Sequence, residues 1–280
     1  MADRLGLIAG GGDLPLEIAR AARGRAVFAV GFPGITDPAL ADRVDALSWQ
    51  ALGQVASLIA TLREAGVVEL VLAGKIQKTD LIRGPGDLRL DELARTWLAR
   101  SSDLRDGRLL AEVGRLLESE GFSVLPQSAL LPHLVPAAGQ LGKLEPTREQ
   151  LRDLAFGWPL ARRHADTEIG QCIVVKNRAV VAVEALEGTD ATIARATALV
   201  GQGISVIKLA ARDHDPRFDL PTVGPSTLAP IIAAGGGLLA VEAGRTLVLH
   251  RDELVDRADH GHVVVLAIDP VGPDASESAR

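Results

Sequence analysis

Short apolar runs alternate with amphipathic helical patterns through the first half of this chain, and this alternation limits the fold more than any other feature. Residues 4–9, 25–30 and 67–73 are predicted as buried strands, with helices between them at 14–23 and 52–65. Strands joined by helices pair in parallel, because a crossover helix returns the chain to the same edge of the sheet. The first half is therefore predicted to be a Rossmann-like α/β domain with a doubly wound parallel sheet.

The N-terminal pattern closes with two helices and a short strand, predicted at residues 88–100, 107–120 and 122–125. The next stretch, 126–142, has no clean hydrophobic period and holds three prolines, Pro126, Pro132 and Pro136. Such composition is typical of a connector between domains. We place the boundary near residue 135, which gives an N-terminal domain over 1–135 and a C-terminal domain over 136–280.

The second half combines hairpins with helices. Apolar runs at 171–175 and 179–184 flank a tight turn in which Asn177 suits a positive φ. A second hairpin is predicted from residues 238–242 and 246–250, turning around Gly244. Helices are predicted at 190–200, 225–234 and 252–259, and a last strand at 263–268. The expected fold is therefore α/β, an N-terminal Rossmann-like parallel sheet domain with a second, mixed α/β domain.

Composition excludes several classes of protein. The chain is 47% hydrophobic and carries a net charge of −6, so it can build a core but has no basic field for nucleic acid. The single cysteine, Cys172, excludes an internal disulfide and a cysteine-rich zinc site, and its apolar surroundings predict a buried thiol. No apolar run approaches the roughly 18 residues that span a bilayer, and no signal peptide begins the chain. A cytoplasmic protein is expected, with membrane contact only at its surface.

A glycine loop follows the first predicted strand. Gly10, Gly11 and Gly12 let the backbone turn sharply and approach a ligand, and the next helix offers its N-terminal N–H groups to an anion. Lys75 ends a neighbouring strand and is expected at the same rim of the sheet. A tight turn that binds nothing explains the glycines equally well. The pattern lacks both Gly-x-Gly-x-x-Gly and an acid ending the second strand, which disfavours a dinucleotide site.

Acidic residues gather before the predicted helix at 190–200. Thr189 suits the N-cap of that helix and Asp190 suits the positive end of its dipole, so capping alone accounts for both. Glu184 and Glu187 make the group denser than capping requires. Magnesium commonly binds one or two carboxylates together with substrate phosphate. These acids are therefore candidate magnesium ligands.

The densest polar loop follows the strand predicted at residues 204–209. Lys208 lies at the end of that strand, and the loop contains Asp215, Arg217 and Asp219. Asp219 is flanked by apolar residues and followed by a proline, which is a more constrained setting than a solvated loop offers. A carboxylate held in this way can ligate a metal or orient water, and phosphoryl hydrolysis needs both.

Five segments in order along the chain resemble the LpxI-type UDP-2,3-diacylglucosamine pyrophosphatases. They are LGLIAGGGDLP at residues 5–15, AGK at 73–75, IGQ at 169–171, EGTD at 187–190 and RFDLPTVG at 217–224. The resemblance implies a hydrolase of lipid A biosynthesis in which water attacks the α-phosphorus of UDP-2,3-diacylglucosamine. The products would be UMP and 2,3-diacylglucosamine 1-phosphate, known as lipid X.

The resemblance also implies the catalytic residue, Asp219. Because the charge of a pyrophosphate must be neutralised, we expect magnesium on Asp219 and the neighbouring acids Asp215 and Glu187. The residues expected to bind substrate are Gly10, Gly11, Gly12, Lys75, Gln171, Gly188, Thr189, Asp190, Lys208, Arg217 and Thr222. The protein would be a cytoplasmic homodimer that takes a lipid-linked UDP-sugar and touches the inner-membrane surface transiently.

The chain departs from the family pattern at three places. Asp106-Gly107 stands where the family often has paired aspartates, Ala211 replaces an expected lysine, and His214 replaces a usual glutamine. Arg212 carries a positive charge next to Ala211. Two alternatives stay open: an NAD(P)-dependent oxidoreductase that uses the glycine loop, and a non-catalytic nucleotide-sugar-binding regulator.

Overall fold

The chain divides into two units. The computed structural model describes residues 4–76, 90–100, 106–215, 217–218 and 220–273. The first unit comprises residues 1–132 together with 215–219, and the second comprises 133–214 and 220–280. A short segment from the second half of the sequence therefore belongs to the first unit. No helix among the described residues is both long and apolar enough to cross a bilayer.

The first unit contains a five-stranded sheet in which every strand pairs in parallel. Its strands are β1 (Arg4–Ala9), β2 (Ala26–Gly31), β3 (Ala46–Trp49), β4 (Glu69–Ala73) and β5 (Ser123–Val124), in the order β3-β2-β1-β4-β5. The predicted parallel sheet is confirmed. The sequence analysis missed β3, because this strand lies at the sheet edge and is partly exposed, which leaves no continuous apolar run to detect.

Five α-helices of the first unit lie within the described residues: α1 (Leu14–Ala21), α2 (Val55–Glu64), α3 (Glu92–Arg100), α4 (Asp106–Ser119) and α5 (Gln127–Leu130). Short 3-10 helices form at Pro38–Arg43 and Pro132–Leu134. Asp91 caps two helices at once, since its carboxylate accepts the N–H of Ala56 at 2.7 Å and of Ala94 at 2.8 Å. The beginning of the helix predicted from residue 88 lies outside the described residues.

The second unit contains a six-stranded mixed sheet, ordered β6-β13-β11-β9-β7-β8. Its strands are β6 (Gly139–Gln140), β7 (Cys172–Lys176), β8 (Ala179–Val183), β9 (Ile204–Lys208), β11 (Gly237–Glu242) and β13 (Val263–Ile268). The strands β9, β11 and β13 run parallel, while β6, β7 and β8 pair in antiparallel fashion. Two short strands, β10 (Thr222–Val223) and β12 (Leu247–Val248), pair separately. The predicted mixed domain is confirmed.

Helices cover both faces of the mixed sheet. Three lie on one face, α7 (Thr189–Val200), α8 (Pro225–Ala233) and α9 (Arg251–His260), and α6 (Arg148–Ala165) lies on the other. The sequence analysis did not predict α6, whose helical pattern is interrupted by Gly157 and Pro159. Gly157 is required by packing, since a Cβ there would lie 2.5 Å from Cδ1 of Ile207.

The first predicted hairpin of this unit is confirmed and the second is wrong. In the β7–β8 turn, Asn177 has φ of 51° and Arg178 has φ of 57°, and the Asp153 carboxylate accepts both of their N–H groups. The strand β11 instead pairs with β9 and β13, so both of its edges are occupied. The run after Gly244 therefore leaves this sheet and pairs with β10. Two apolar runs around a glycine cannot reveal that the first is a central strand.

Candidate functional site

Polar side chains meet in the second unit where β9 ends and α7 begins. Lys208 is the last residue of β9 and is 8% exposed, and its Nζ donates to the carbonyl of Thr222 at 2.9 Å. Cys172 is its register partner on β7. An ammonium has three donors, so Lys208 keeps donors for a ligand beyond its bond to Thr222.

Glu184 joins the strand ends of this rim to the start of α7. Its Oε1 accepts the hydroxyl of Thr189 at 2.9 Å, and its Oε2 accepts the N–H of Gln171 at 3.1 Å. Gly188, with φ of 83°, is the N-cap of α7 and Thr189 is the first helical residue. The expected N-cap role of Thr189 is therefore wrong, because its hydroxyl bonds Glu184 rather than a backbone N–H of its own helix.

The pKa of the Cys172 thiol is affected by the charged groups around it. Burial raises the pKa of this thiol well above its ordinary value, and the negative charge of Glu184 raises it further. The positive charge of Lys208 acts in the opposite direction, and Asp190 adds a smaller upward effect. One cation and two carboxylates therefore act on a single buried atom, while the thiol itself is protonated and unreactive.

Most of the predicted substrate-binding residues thus lie together in the second unit, where β9 ends and α7 begins. They are Gln171, Gly188, Thr189, Asp190, Lys208 and Thr222. We call this group the β9 rim. Sequence reasoning had mentioned Glu184 only as one of several acids, although it bonds two of these residues.

Glu187 lies beside this rim but its oxygens are engaged locally. They accept the N–H of Ala185 at 3.1 Å, the hydroxyl of Thr192 at 3.2 Å and the guanidinium of Arg195 at 2.7 Å. Its own backbone N–H, followed by Arg195, Thr192 and Ala185, lowers the pKa of this carboxyl. These contacts close the turn before α7.

The glycine loop of the first unit is closed by backbone pairing. The N–H of Gly10 donates to the carbonyl of Ala73 at 2.7 Å, and Gly11 and Lys75 exchange two backbone bonds of 2.9 Å. A Cβ on Gly10 would lie 2.8 Å from the carbonyl carbon of Gly74, so glycine is needed for this close approach. The structure does bring the loop and Lys75 to one rim. The N–H groups of Gly10 and Gly11 are already used, however, and cannot cradle a phosphate.

Arg217 joins Asp215 to α4. Arg217 pairs with the carboxylate of Asp215 through Nε at 3.0 Å and with Glu118 near the end of α4. The bond to Asp215 raises the pKa of the guanidinium above its usual range. The end of α4 leads into the start of β5, so this ion pair lies near the amino ends of the parallel strands. The glycine loop lies at their carboxyl ends. Asp219, the predicted catalytic residue, lies outside the described residues.

Two of the three donors predicted for magnesium already have charged partners. The carboxylate of Glu187 binds the guanidinium of Arg195, and that of Asp215 binds the guanidinium of Arg217. No group of three or more His, Cys, Asp or Glu side chains suitable for a metal ion occurs among the residues that the structure describes. Because Asp219 lies outside the described residues, the magnesium site of Asp219, Asp215 and Glu187 stays a prediction.

A buried ion pair near the β9 rim was missed by the sequence analysis. Glu242, fully buried at the end of β11, bonds Arg162 of α6 at 2.6 and 3.2 Å. The available signal was an acid directly after the apolar run 238–241, since a charge in such a position needs a partner.

The fold and the charged rim define a class, the α/β proteins with a Rossmann-like N-terminal unit and a mixed C-terminal unit. Two protein-family models match the chain and define its family within this class. The LpxI N-terminal domain matches residues 4–134 and the LpxI C-terminal domain matches residues 137–266. The protein named "UDP-2,3-diacylglucosamine pyrophosphatase LpxI" from Caulobacter vibrioides is 33% identical over 278 residues, covering 95% of this chain and 98% of its own. The chain belongs to the LpxI family.

Solved structures offer only distant likenesses. The biotin carboxylase domain of a thermophilic 2-oxoglutarate carboxylase bound to ADP is 13% identical, with a TM-score of 0.26, over 62% of this chain and 35% of that one. The biotin carboxylase subunit of pyruvate carboxylase is 11% identical, with a TM-score of 0.28, over 74% and 38%. The chain spans little more than a third of either structure, and likenesses this weak carry no argument.

Proposed function

We propose that this protein hydrolyses the pyrophosphate of UDP-2,3-diacylglucosamine in lipid A biosynthesis. Water attacks the α-phosphorus, giving UMP and 2,3-diacylglucosamine 1-phosphate. The observation that carries the proposal is the 33% identity, along almost the whole of both chains, to a protein named for this activity. Matches to both LpxI domain models support it.

The β9 rim offers a physical basis for binding the nucleotide. A pyrophosphate carries several negative charges, and hydrolysis requires these to be neutralised and held in place. Lys208 supplies an ammonium at a strand end, and α7 supplies the positive end of a twelve-residue helix at Thr189. Glu184 fixes the Thr189 hydroxyl and the Gln171 backbone, so these groups are held in place before a ligand arrives.

Asp219 is the proposed catalytic carboxylate, with the role of orienting the attacking water. Mg²⁺ is the proposed cofactor, and when bound it would neutralise charge on the pyrophosphate. Its proposed ligands are Asp219, Asp215 and Glu187, of which the last two each bind an arginine in this structure. We further propose a cytoplasmic homodimer that meets its lipid substrate at the inner-membrane surface.

Release of UMP from the lipid nucleotide tests the proposal. The purified protein should release UMP, and EDTA should suppress release until Mg²⁺ is restored. Asp219→Asn should abolish turnover while substrate still binds. Lys208→Met should weaken binding of the nucleotide, whereas Lys143→Met, at an exposed lysine of the same unit, should change nothing.

Other outcomes would redirect the assignment. Binding of the lipid nucleotide by the wild type without UMP release would refute hydrolysis and favour a regulator. A fluorescence change of NADH on adding the protein would favour an oxidoreductase. Normal turnover by Asp219→Asn would remove Asp219 from the mechanism.

A further inference from the structure

Two arginines hold the loop that directly follows Lys208. Arg162 donates through Nη1 to the carbonyl of Ala210 at 2.6 Å. Arg245 donates through Nη2 to the carbonyls of Ala211 at 2.7 Å and Arg212 at 3.2 Å. Three consecutive carbonyls are therefore fixed by guanidinium groups, in a loop of the second unit that has no strand partner at these positions.

Both arginines are anchored on Glu242. This carboxylate is fully buried, bonds Arg162 at 2.6 Å and lies 3.7 Å from Nη1 of Arg245. A buried carboxylate requires such compensation, because burial of an unpaired charge is costly. Glu242 thus orients two guanidinium groups whose remaining donors reach the loop. We call Glu242, Arg162 and Arg245 the Glu242 clamp.

The clamp lies on the other face of the sheet from the Lys208 ammonium. Side chains alternate between faces along a strand. Lys208 follows the face of Val206, which packs towards α7 and α8, whereas Glu242 follows the face of Ala240, which packs towards α6. Lys208 is also the register partner of Val241, the residue directly before Glu242. Glu242 therefore lies next to Lys208 across the β9–β11 pair, but its side chain is on the opposite face of the sheet.

We infer that the Glu242 clamp positions Lys208 for the substrate phosphate by fixing the loop at residues 210–212. This inference rests on the proposed function. The clamp residues are positioning residues, not catalytic ones, because they act through the backbone that leaves β9.

Arg245 is the residue to test. Removing Glu242 or Arg162 would leave a buried charge unpaired and threaten the fold. Arg245 is 28% exposed at its side chain, and Arg245→Ala leaves the Glu242–Arg162 pair intact. The matched control is Arg257→Ala, which removes an exposed arginine paired with Glu253 in the same unit.

Arg245→Ala should lower kcat/KM for UMP release about tenfold or more, since small misplacements of binding groups have such effects. The melting temperature should fall by no more than about 4 °C. Arg245→Lys, which can still donate to the loop carbonyls, should recover part of the activity. Arg257→Ala should match the wild type. An unchanged kcat/KM in Arg245→Ala would overturn the inference.

A double-mutant cycle separates positioning from general damage. If Arg245 acts through Lys208, then Arg245→Ala should cause little further loss in a Lys208→Met background. A full additional tenfold loss there would contradict the inference.

Hydrogen exchange at residues 209–214 gives a readout that does not depend on activity. Arg245→Ala should speed exchange in this segment, and Arg257→Ala should not. If the wild type releases no UMP, the proposed function fails, yet exchange still decides whether Arg245 holds the loop. Unchanged exchange in Arg245→Ala would refute the clamp itself.

Discussion

The Phe218 ring and Gly114 of α4 fit together so closely that their substitutions should be strongly coupled. Phe218 is 1% exposed in the core of the first unit. A Cβ on Gly114 would overlap Cζ of the ring and lie 2.9 Å from Cε2. Carbon atoms need about 3.5 Å, so the ring would have to move by more than about an ångström to clear its closest atom, Cζ.

The magnitude follows from two opposing effects of Gly114→Ala. Overpacking a core costs about 1–3 kcal/mol. Replacing glycine by alanine inside a helix gains about 1 kcal/mol. The net change should therefore be a loss of about 1 kcal/mol in the free energy of unfolding. In a Phe218→Ala background, which itself loses about 3–5 kcal/mol, the overlap disappears and Gly114→Ala should stabilise by about 1 kcal/mol. The coupling between the two positions is then about 2 kcal/mol.

Urea unfolding measures this coupling. Trp49 and Trp97 belong to the first unit, so a Trp158→Phe background leaves fluorescence that reports on that unit alone. All four combinations at Gly114 and Phe218 are compared. The same sign and size of effect for Gly114→Ala in both backgrounds would refute the packing argument. The reversal of sign is the decisive result, because helix propensity alone stabilises in both.

Three further predictions concern single residues. Asp153→Ala should lower the free energy of unfolding by about 3 kcal/mol, because the N–H groups of Asn177 and Arg178 lose a charged acceptor. Asp153→Asn should lose about half of that. An unchanged urea midpoint in Asp153→Ala would contradict this prediction. Asp91→Ala should lose about 2 kcal/mol by uncapping α2 and α3, whereas Asp91→Asn should retain most of the stability in the same assay. Burial raises the pKa of the Cys172 thiol above its ordinary value of 9.0, so the folded thiol keeps a proton that the unfolded chain releases at high pH. The contribution of this thiol to stability should therefore be fully present below about pH 9 and fall as the pH rises from there towards the raised pKa. Between about pH 8 and about pH 10, the urea midpoint of Cys172→Ala should fall less than that of the wild type.

The regular elements were accessible from the sequence because their cause is local. An apolar run such as residues 4–9 or 263–268 buries both faces of a strand wherever it pairs, and both strands were predicted with their observed bounds. The β7–β8 hairpin was likewise predicted, since Asn177 suits the positive φ that its turn requires.

Elements whose pattern is weak or ambiguous were not accessible. The edge strand β3 lacks a full apolar run, and α6 contains Gly157, which only the neighbouring side chain of Ile207 explains. The false hairpin at 246–250 arose because the sequence does not say whether a strand has a free edge.

The candidate site divides in the same way. Residue types and spacing singled out Lys208 and Thr189, and family resemblance selected Gln171 and Asp219. Only tertiary structure joins Glu184 to Thr189 and Gln171, engages the amides of the glycine loop, and binds Glu187 to Arg195.

The sequence by itself determined the two α/β halves, the strands of their cores and the family of the chain, because hydrophobic period and motif order are properties of local sequence. Tertiary structure alone decided which polar groups are free to meet a ligand and which are already paired. Hydrogen bonds and ion pairs join residues far apart in the chain, as Arg162 and Glu242 are, and no local pattern records those partners.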